Sequence, residues 1–394
     1  MYPIRYIGRI LSAPRPRVKP RAWLAALLFI LFPLPTLAAP PIPPSTTPPH
    51  LVTRHSSLVT PLTATDADGT PVSLPAPPSR ILVAGKSAII PSDALFLFPK
   101  ARTRLLRLAR VNQGLGNFYA LLAPDLASSS AADALQNGGT EALAALRPDL
   151  VLAKTASTAA VLAPLRRLGI PGFSLSLETP DDWLRELPEL GRLLGEEDRA
   201  AELVSLFRAR LDAVRTAVAD IPPSARPRVL LLQASAADGI LTFSVSPDNW
   251  LQTWLVEAAG GIPVWKGTGL TASGWSKVSF EQIAAWDPDA IYFVSYKAPL
   301  SPLLDAIKTD RRWRLLSAAR ADRLRAMPAD LVAWAQPVSR WILCLQWLAA
   351  DLHPAAFPGF DPETALADFY RDFYAVPPGP VLDALLSAYR ASQP

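Results

Sequence analysis

The chain has few residue types that do chemistry unaided. It holds three histidines, His50, His55 and His353, and one cysteine, Cys344. Two of the histidines fall in or beside a stretch rich in Pro, Ser and Thr, so a His-rich zinc or manganese site lacks a ligand set and none is expected. No G-x-S-x-G elbow, G-x-G-x-x-G turn or G-x-x-x-x-G-K-S/T loop occurs, which removes the usual signatures of acyl transfer and of dinucleotide or nucleotide binding. Cys344 falls on an apolar helix face, where a thiol is inert packing. Acidic residues are plentiful, yet no spacing pairs two of them, so a hydrolase built on carboxylates alone stays open without support. What remains is binding chemistry. Lys86-Ser87 follows directly on the apolar run Ile81–Ala84, at the point where open α/β sheets present their ligands.

The elements that would carry such a site are organised by a stretch that occurs twice. Glu141–Leu152 reads EALAALRPDLVL, and Glu281–Tyr292, 140 residues further on, reads EQIAAWDPDAIY. Five positions are identical (the Glu, two Ala, the Pro and the Asp) and three more are apolar in both. Each copy predicts a short helix ended by Pro148 or Pro288, since proline disfavours α geometry in the residue before it. A buried parallel strand should follow. The period is too long for a solenoid and points to two similar α/β lobes.

At 394 residues, half of them apolar, the chain has material for two domains. Its longest apolar run, Ala22–Phe32, suits a signal-peptide core and falls well short of the roughly 20 residues of a spanning helix. Six cations precede the run and Thr36-Leu37-Ala38 follows it. The expectation is export to the periplasm, with a signal peptide over 1–38 cleaved near Ala38. An uncleaved anchor is the alternative. The net charge of +5 owes much to this segment and so does not argue for nucleic acid. A single cysteine allows no intramolecular disulfide, and none follows the apolar run to carry a lipid anchor.

Residues 39–62 read as a Pro-rich spacer. Thr63–Pro75 reads as a β-hairpin turning at Asp68-Gly69. Strand candidates Ile81–Ala84, Leu105–Ala109, Leu150–Ala153 and Gly172–Leu175 then alternate with helical stretches, the pattern of a mainly parallel sheet. With the helix Asp181–Leu194 they make a first lobe over 63–195. After Gly195 a linking helix is expected over 196–221. Its apolar stripe (Ala201, Val204, Phe207, Leu211, Val214 and Val218) spans about 36 Å, enough to reach from lobe to lobe, although a surface helix of the first lobe would show the same period. The second lobe, 222–394, holds strands Arg228–Ala234, Leu241–Val245 and Ile291–Ser295, helices Asn249–Ala259 and Val338–Leu352, and a helical tail from Pro362 to Ser392. Trp265, Trp286, Trp341 and Trp347 are assigned to the core.

Several segments resemble one family, the class III periplasmic binding proteins of ABC importers, which includes ferric-siderophore, haem and cobalamin receptors with molybdate and tungstate receptors among its relatives. The resemblance runs over about 60–375. It is carried by the hairpin TDADGTPVSLPAPPSRIL, by GGTEALAALRPDLVLA and WSKVSFEQIAAWDPDAIYF, by LGRLLGEEDRAAEL, and by PVSRWILCLQWLAADLHPAAF, which is similar to the iron-complex and molybdate branch. It implies an α/β fold of two Rossmann-like lobes joined by one long helix, with the ligand in the cleft between them. Glu141 and Glu281 match the family's two carboxylates that dock on the permease, where separated charges give register and steering. Trp275 matches a position that often faces ligand, Tyr119 in GLGNFY is a second aromatic candidate, and Trp334 and Arg340 in WAQPVSRW fall where the second lobe meets the cleft. Arg340 would hold a carboxylate or oxyanion by paired hydrogen bonds. The implied ligand is a metal chelate, with an oxyanion such as molybdate or tungstate as the rival. Expected partners are that ligand and the permease and ATPase of an importer. No cofactor, no nucleic acid and a monomer are expected.

Overall fold

The computed structural model describes residues 60–108, 116–127, 139–237, 240–270 and 274–393. The expected signal segment and nearly all of the spacer lie outside them, as does the start of the GLGNFY loop. The hairpin forms as expected: β1 (Leu62–Thr65) and β2 (Pro71–Leu74) pair antiparallel, Thr65 opposite Pro71. Asp66 closes the turn by accepting from the N–H groups of Asp68 and Thr70 at 3.0 and 2.8 Å, and Gly69 supplies the left-handed residue at φ +77°.

The first lobe is built on a three-stranded parallel sheet in the order β3 (Ile81–Val83), β4 (Leu150–Lys154), β5 (Gly172–Leu175). Every residue of these strands is buried, which is what continuous apolar runs require of a sheet covered on both faces. Leu105–Ala109 does not make a strand. Only Leu105 bridges to Ile81; Leu106 and Arg107 are half-buried on the sheet's wet edge, and Ala109 lies outside the described residues. Helix α1 (Ile89–Phe96) follows β3, the short α2 (Thr140–Ala144) precedes β4, α3 (Ala163–Arg167) precedes β5, and α4 (Pro180–Leu194) closes the lobe. A capping box between Thr179 and Asp182 starts α4, and Gly195 at φ +68° ends it.

Helix α5 (Glu197–Val218) then links the lobes; its 22 residues make about 33 Å. Its stripe packs both ways. Phe207 lies 5.7 Å from Trp183 of α4 and stacks at 5.2 Å on Trp341 of the second lobe.

The second lobe holds a mixed sheet in the order β11 (Leu324–Ala326), β10 (Ala290–Val294), β6 (Arg228–Ala237), β7 (Ile240–Val245), β9 (Ser276–Val278), with β8 (Ile262–Pro263) also on β6. β10 runs parallel to β6 and β11, whereas β7 runs antiparallel to both its neighbours, β6 and β9. Around it lie α6 (Leu251–Ala258), α7 (Phe280–Trp286), α8 (Ser301–Thr309) and α9 (Trp341–Leu352). The tail is two helices, α10 (Pro362–Tyr374) and α11 (Pro380–Ser392), since Ala375 turns left-handed at φ +53° and Pro377-Pro378 cannot continue a helix. The expected start of α9 at Val338 moves to Trp341, because Ser339 and Arg340 are drawn into the buried network described below.

The duplicated stretch is a duplicated device. Arg147 and Asp287, each just before the proline, take left-handed φ of 48° and 35°. Proline excludes the right-handed α region there, and the chain turns the other way into the strand. In the first lobe Asp149 accepts from Ser79 N, Ser79 Oγ and Arg80 N at 2.7–2.8 Å, while Arg80 donates to the carbonyls of Leu146 and Arg147. In the second, Asp289 accepts from Arg228 N at 2.7 Å and Arg228 donates to Trp286 O at 2.8 Å. Each clasp fastens the start of one parallel strand to the next and caps the carbonyl end of the short helix.

Candidate functional site

Three of the expected ligand contacts, Arg340, Tyr119 and Trp334, are buried in one polar network. Arg340 is 0% exposed, and its guanidinium donates to Asp330 at 3.0 Å, Asp93 at 3.1 Å, Tyr370 Oη at 2.9 Å and Tyr374 Oη at 3.3 Å. Four of its five N–H donors are thus engaged inside the protein, and the one left over cannot make a bidentate face for an anion. Tyr119 is equally buried and donates to Asp93 at 3.0 Å. Trp334 donates to Asp330 at 3.3 Å and stacks on Tyr389 at 5.4 Å. The three belong to one network. Asp93, from α1 of the first lobe, also accepts from Ser339 N at 2.7 Å and from Tyr374 at 2.7 Å. Burial pushes the phenols of Tyr119, Tyr370 and Tyr374 well above their ordinary value, and the two carboxylates hold the Arg340 guanidinium charged. This network joins the lobes a second time, beside the α5 link.

The strand ends of the two lobes carry the groups that remain accessible. In the first lobe, Gly85 at φ +89° and Ser87 at φ +57° shape the loop after β3, which is pinned by Lys86 N donating to Ser157 Oγ at 3.1 Å. The side chains of Lys86 and Ser87 are exposed. Next to this loop, Lys154 ends β4. It is buried, and it donates to Ser176 O and pairs with Glu178, both just past β5.

In the second lobe the corresponding edge is aromatic. Trp275 lies half-buried between Trp250 at 6.0 Å and Tyr296 at 6.2 Å. Tyr296 follows β10 and donates to Ala335 O at 2.9 Å, while Gln252 donates to it at 3.2 Å. Burial raises the Tyr296 phenol. Gln252 is 3% exposed, and its Oε1 has no hydrogen-bond partner among the described residues. An orphan buried acceptor on a side chain bonded to Tyr296 is unfavourable unless something donates to it. Cavities of about 300 and 200 Å³ lie on either side of the segment 295–300, the first lined also by Gln233, Ser235 and Leu241, the second by Met327, Asp330 and Ser392.

Lys154, Glu178, Trp250, Gln252 and Tyr296 were not among the sequence candidates. The signal for Lys154 and Tyr296 was available: each stands at the carboxyl end of a parallel strand, the same rule that selected Lys86-Ser87. Gln252 and Trp250 carry no such mark, because a helix start with a tryptophan reads as core.

Glu141 and Glu281 are both exposed, each in the first turn of its helix, α2 and α7. Backbone N–H at the helix start and the Ser279 hydroxyl hold the Glu281 carboxyl below its ordinary range. Cys344 is buried, and burial pushes its thiol up, as an inert packing residue requires. Among the described residues no group of His, Cys, Asp and Glu could hold a metal, and no helix is long and apolar enough to cross a membrane.

Comparison with known proteins bears on the whole arrangement. Residues 123–331 match a family described as periplasmic binding protein. The chain is 26% identical over 292 residues to the molybdate-binding protein MolA of Haemophilus influenzae, covering 68% of this chain and 78% of that protein. It is 28% identical over 235 residues to a cobalamin-binding protein of Halobacterium salinarum, covering 59% and 58%. Among solved structures, a periplasmic solute binding protein from Veillonella parvula superposes with a TM-score of 0.67 at 23% identity, covering 82% of this chain and 96% of that one. That likeness carries the two-lobed fold.

Proposed function

The chain belongs to the periplasmic binding protein family, and from that premise we propose that it is an exported receptor which holds a metal chelate in the cleft and delivers it to the permease of an ABC importer. It performs no reaction of its own; the energy for transport comes from the partner ATPase. The observation that carries this reading is the row Trp250–Trp275–Tyr296, with Gln252 and its orphan Oε1 joined to its Tyr296 end, together with the Lys154–Glu178 pair at the strand ends of the first lobe. Flat faces of a macrocycle or siderophore are matched by rings, and an amide N–H or hydroxyl at its rim would satisfy the glutamine. Lys86 and Ser87 complete the first-lobe wall.

A second reading, an oxyanion such as molybdate, is favoured by the likeness to MolA. Against it stands Arg340, whose guanidinium is committed to two aspartates.

Tryptophan fluorescence titration separates the two. A corrinoid or ferric hydroxamate should quench the emission, and Trp275→Ala should weaken binding by about two- to twelve-fold, the range for one aromatic contact. Saturable binding of molybdate with no response to any chelate overturns the first reading. Glu141 and Glu281 are proposed as the permease contacts, one on each lobe. The double change to Ala should leave ligand affinity intact and abolish uptake in reconstituted membranes.

A further inference from the structure

The large apolar side chains that are most exposed among the described residues are not scattered. Leu315, 72% exposed, follows Arg311, Arg312 and Arg314, all of them exposed. Arg312 lies over the Phe280 ring at 5.2 Å, and its charge is felt by Glu281, so this point adjoins the second-lobe carboxylate. Leu168, 59% exposed, follows Arg167 at the end of α3, which packs on the α2 helix that carries Glu141. Each lobe thus sets a bare leucine beside arginine, on a segment that packs against the helix carrying its proposed docking glutamate.

The charge is local. Residues 1–38 hold six of the 39 basic residues and no acid, so the remaining chain has 33 basic residues against 34 acidic. On that near-neutral body, 301–325 gathers seven cations against Asp305, Asp310 and Asp322. Asp310 pairs with Arg312, and Arg323 and Arg325 turn to Asp351, whereas Arg311 and Arg314 enter no ion pair among the described residues.

We propose that Leu315 with Arg311 and Arg314, and secondarily Leu168 with Arg167, rest on anionic phospholipid headgroups around the importer. This rests on the docking reading of Glu141 and Glu281. An apolar tip ringed by guanidinium groups fits a phosphate surface over hydrocarbon: the cations meet phosphates and the leucine enters the boundary beneath them. An acidic protein loop would match the arginines but gives no reason for two bare leucines.

The test is co-sedimentation of the full chain with vesicles of phosphatidylglycerol and phosphatidylcholine, against phosphatidylcholine alone. Binding should need the anionic lipid and weaken with salt. Arg311→Ser with Arg314→Ser should lower it about five-fold per arginine, and Leu315→Ser about ten-fold. The six cations before residue 38 are common to parent and variants, so the difference reads the patch. Equal binding by parent and variants overturns the proposal. So does loss of binding only to the permease in detergent, which assigns the arginines to a protein partner. Glu141→Ala with Glu281→Ala should leave vesicle binding unchanged while abolishing uptake; retained uptake sinks the docking reading and leaves the lipid measurement standing.

Discussion

The two lobes agree at one edge of their sheets and differ at the other. Where the parallel strands begin, both use the same clasp: an aspartate after proline, an arginine reaching back to a helix end, and a left-handed residue between. Where the strands end, the first lobe presents Lys86, Lys154 and Glu178, and the second presents Trp250, Trp275 and Tyr296. The clasp does a backbone task that does not depend on what is bound, so one solution serves twice. On the proposed function the strand ends face a ligand with two unlike sides, so each lobe would supply different chemistry. Repetition in this chain marks scaffold, together with the proposed partner contacts, and divergence marks the proposed ligand wall.

The largest test breaks what holds the unlike halves together. Arg340→Ala would leave Asp93 of the first lobe and Asp330 of the second buried without their cation. Removing one partner of a buried ionic group typically costs about 3–5 kcal/mol, and urea unfolding should register a loss of that size. Arg340→Met combined with Asp93→Asn and Asp330→Asn should recover part of it, because no unpaired charge remains. A loss below about 1 kcal/mol for Arg340→Ala would mean that α5 alone fixes the lobes.

A charge peculiar to the first lobe gives the next effect. Glu186 of α4 accepts from Ser176 N at 2.7 Å and Leu177 N at 3.2 Å behind the ligand wall, and burial raises its carboxyl from 4.5 to about 7. Below the lower value the group is neutral in folded and unfolded chains alike. Between the two values the unfolded chain gives up its proton first, so this contribution is full at low pH and is lost as pH rises to about 7, by of order 2–3 kcal/mol. Glu186→Gln keeps an acceptor for both N–H groups and removes the titration. Denaturation at pH 5 and pH 8 should show a smaller fall for the variant than for the parent; equal falls would remove Glu186 from the account.

Most of the scaffold was legible in the sequence because periodicity and proline act locally. The apolar runs at 81–83, 150–154 and 172–175, the stripe on α5 from Val204 onward and the repeat at Glu141 and Glu281 read directly, whereas Ala201 is exposed and Ala200 and Leu203 take the buried places at the start of the stripe. The site was legible only where a local rule applied. Lys86-Ser87 follows a strand, and Trp275 stood out by likeness to a family. The burial of Arg340, Trp334 and Tyr119 was not legible, because a polar residue among aromatics looks the same in sequence whether it faces a ligand or a buried carboxylate. Asp93 and Asp330, 237 residues apart, make the difference, and no local pattern pairs them. Leu105–Ala109 failed for a related reason, since strand formation depends on a neighbour's edge as well as on the run itself.

The clasp itself predicts unequal costs. Asp149 accepts three hydrogen bonds from Ser79 and Arg80, whereas Asp289 accepts one from Arg228 N. Asp149→Ala should therefore cost about 3 kcal/mol and Asp289→Ala about 1 kcal/mol, at net values near 1 kcal/mol per bond. Equal costs would show that the aspartates act through the strand start alone, with the extra bonds to Ser79 adding nothing.

The smallest difference lies at the starts of the two repeated helices. Ser279 caps α7, its hydroxyl accepting from Gln282 N at 3.3 Å, while the equivalent residue of the first lobe is Gly139, with no side chain to cap α2. Gly139 has φ −67° and ψ 165°, a conformation open to any residue, so its glycine meets no backbone need. A Cβ there would lie 3.2 Å from Glu141 Oε2, the free end of a flexible side chain that can swing aside. Gly139→Ser should therefore copy the second-lobe cap into the first and stabilise by a few tenths of a kcal/mol, roughly the Gly-to-Ser difference at an N-cap. The urea midpoint of Gly139→Ser against the parent measures it. A loss of stability instead would show that Glu141 is held in place, and the two docking helices would then differ in more than their caps.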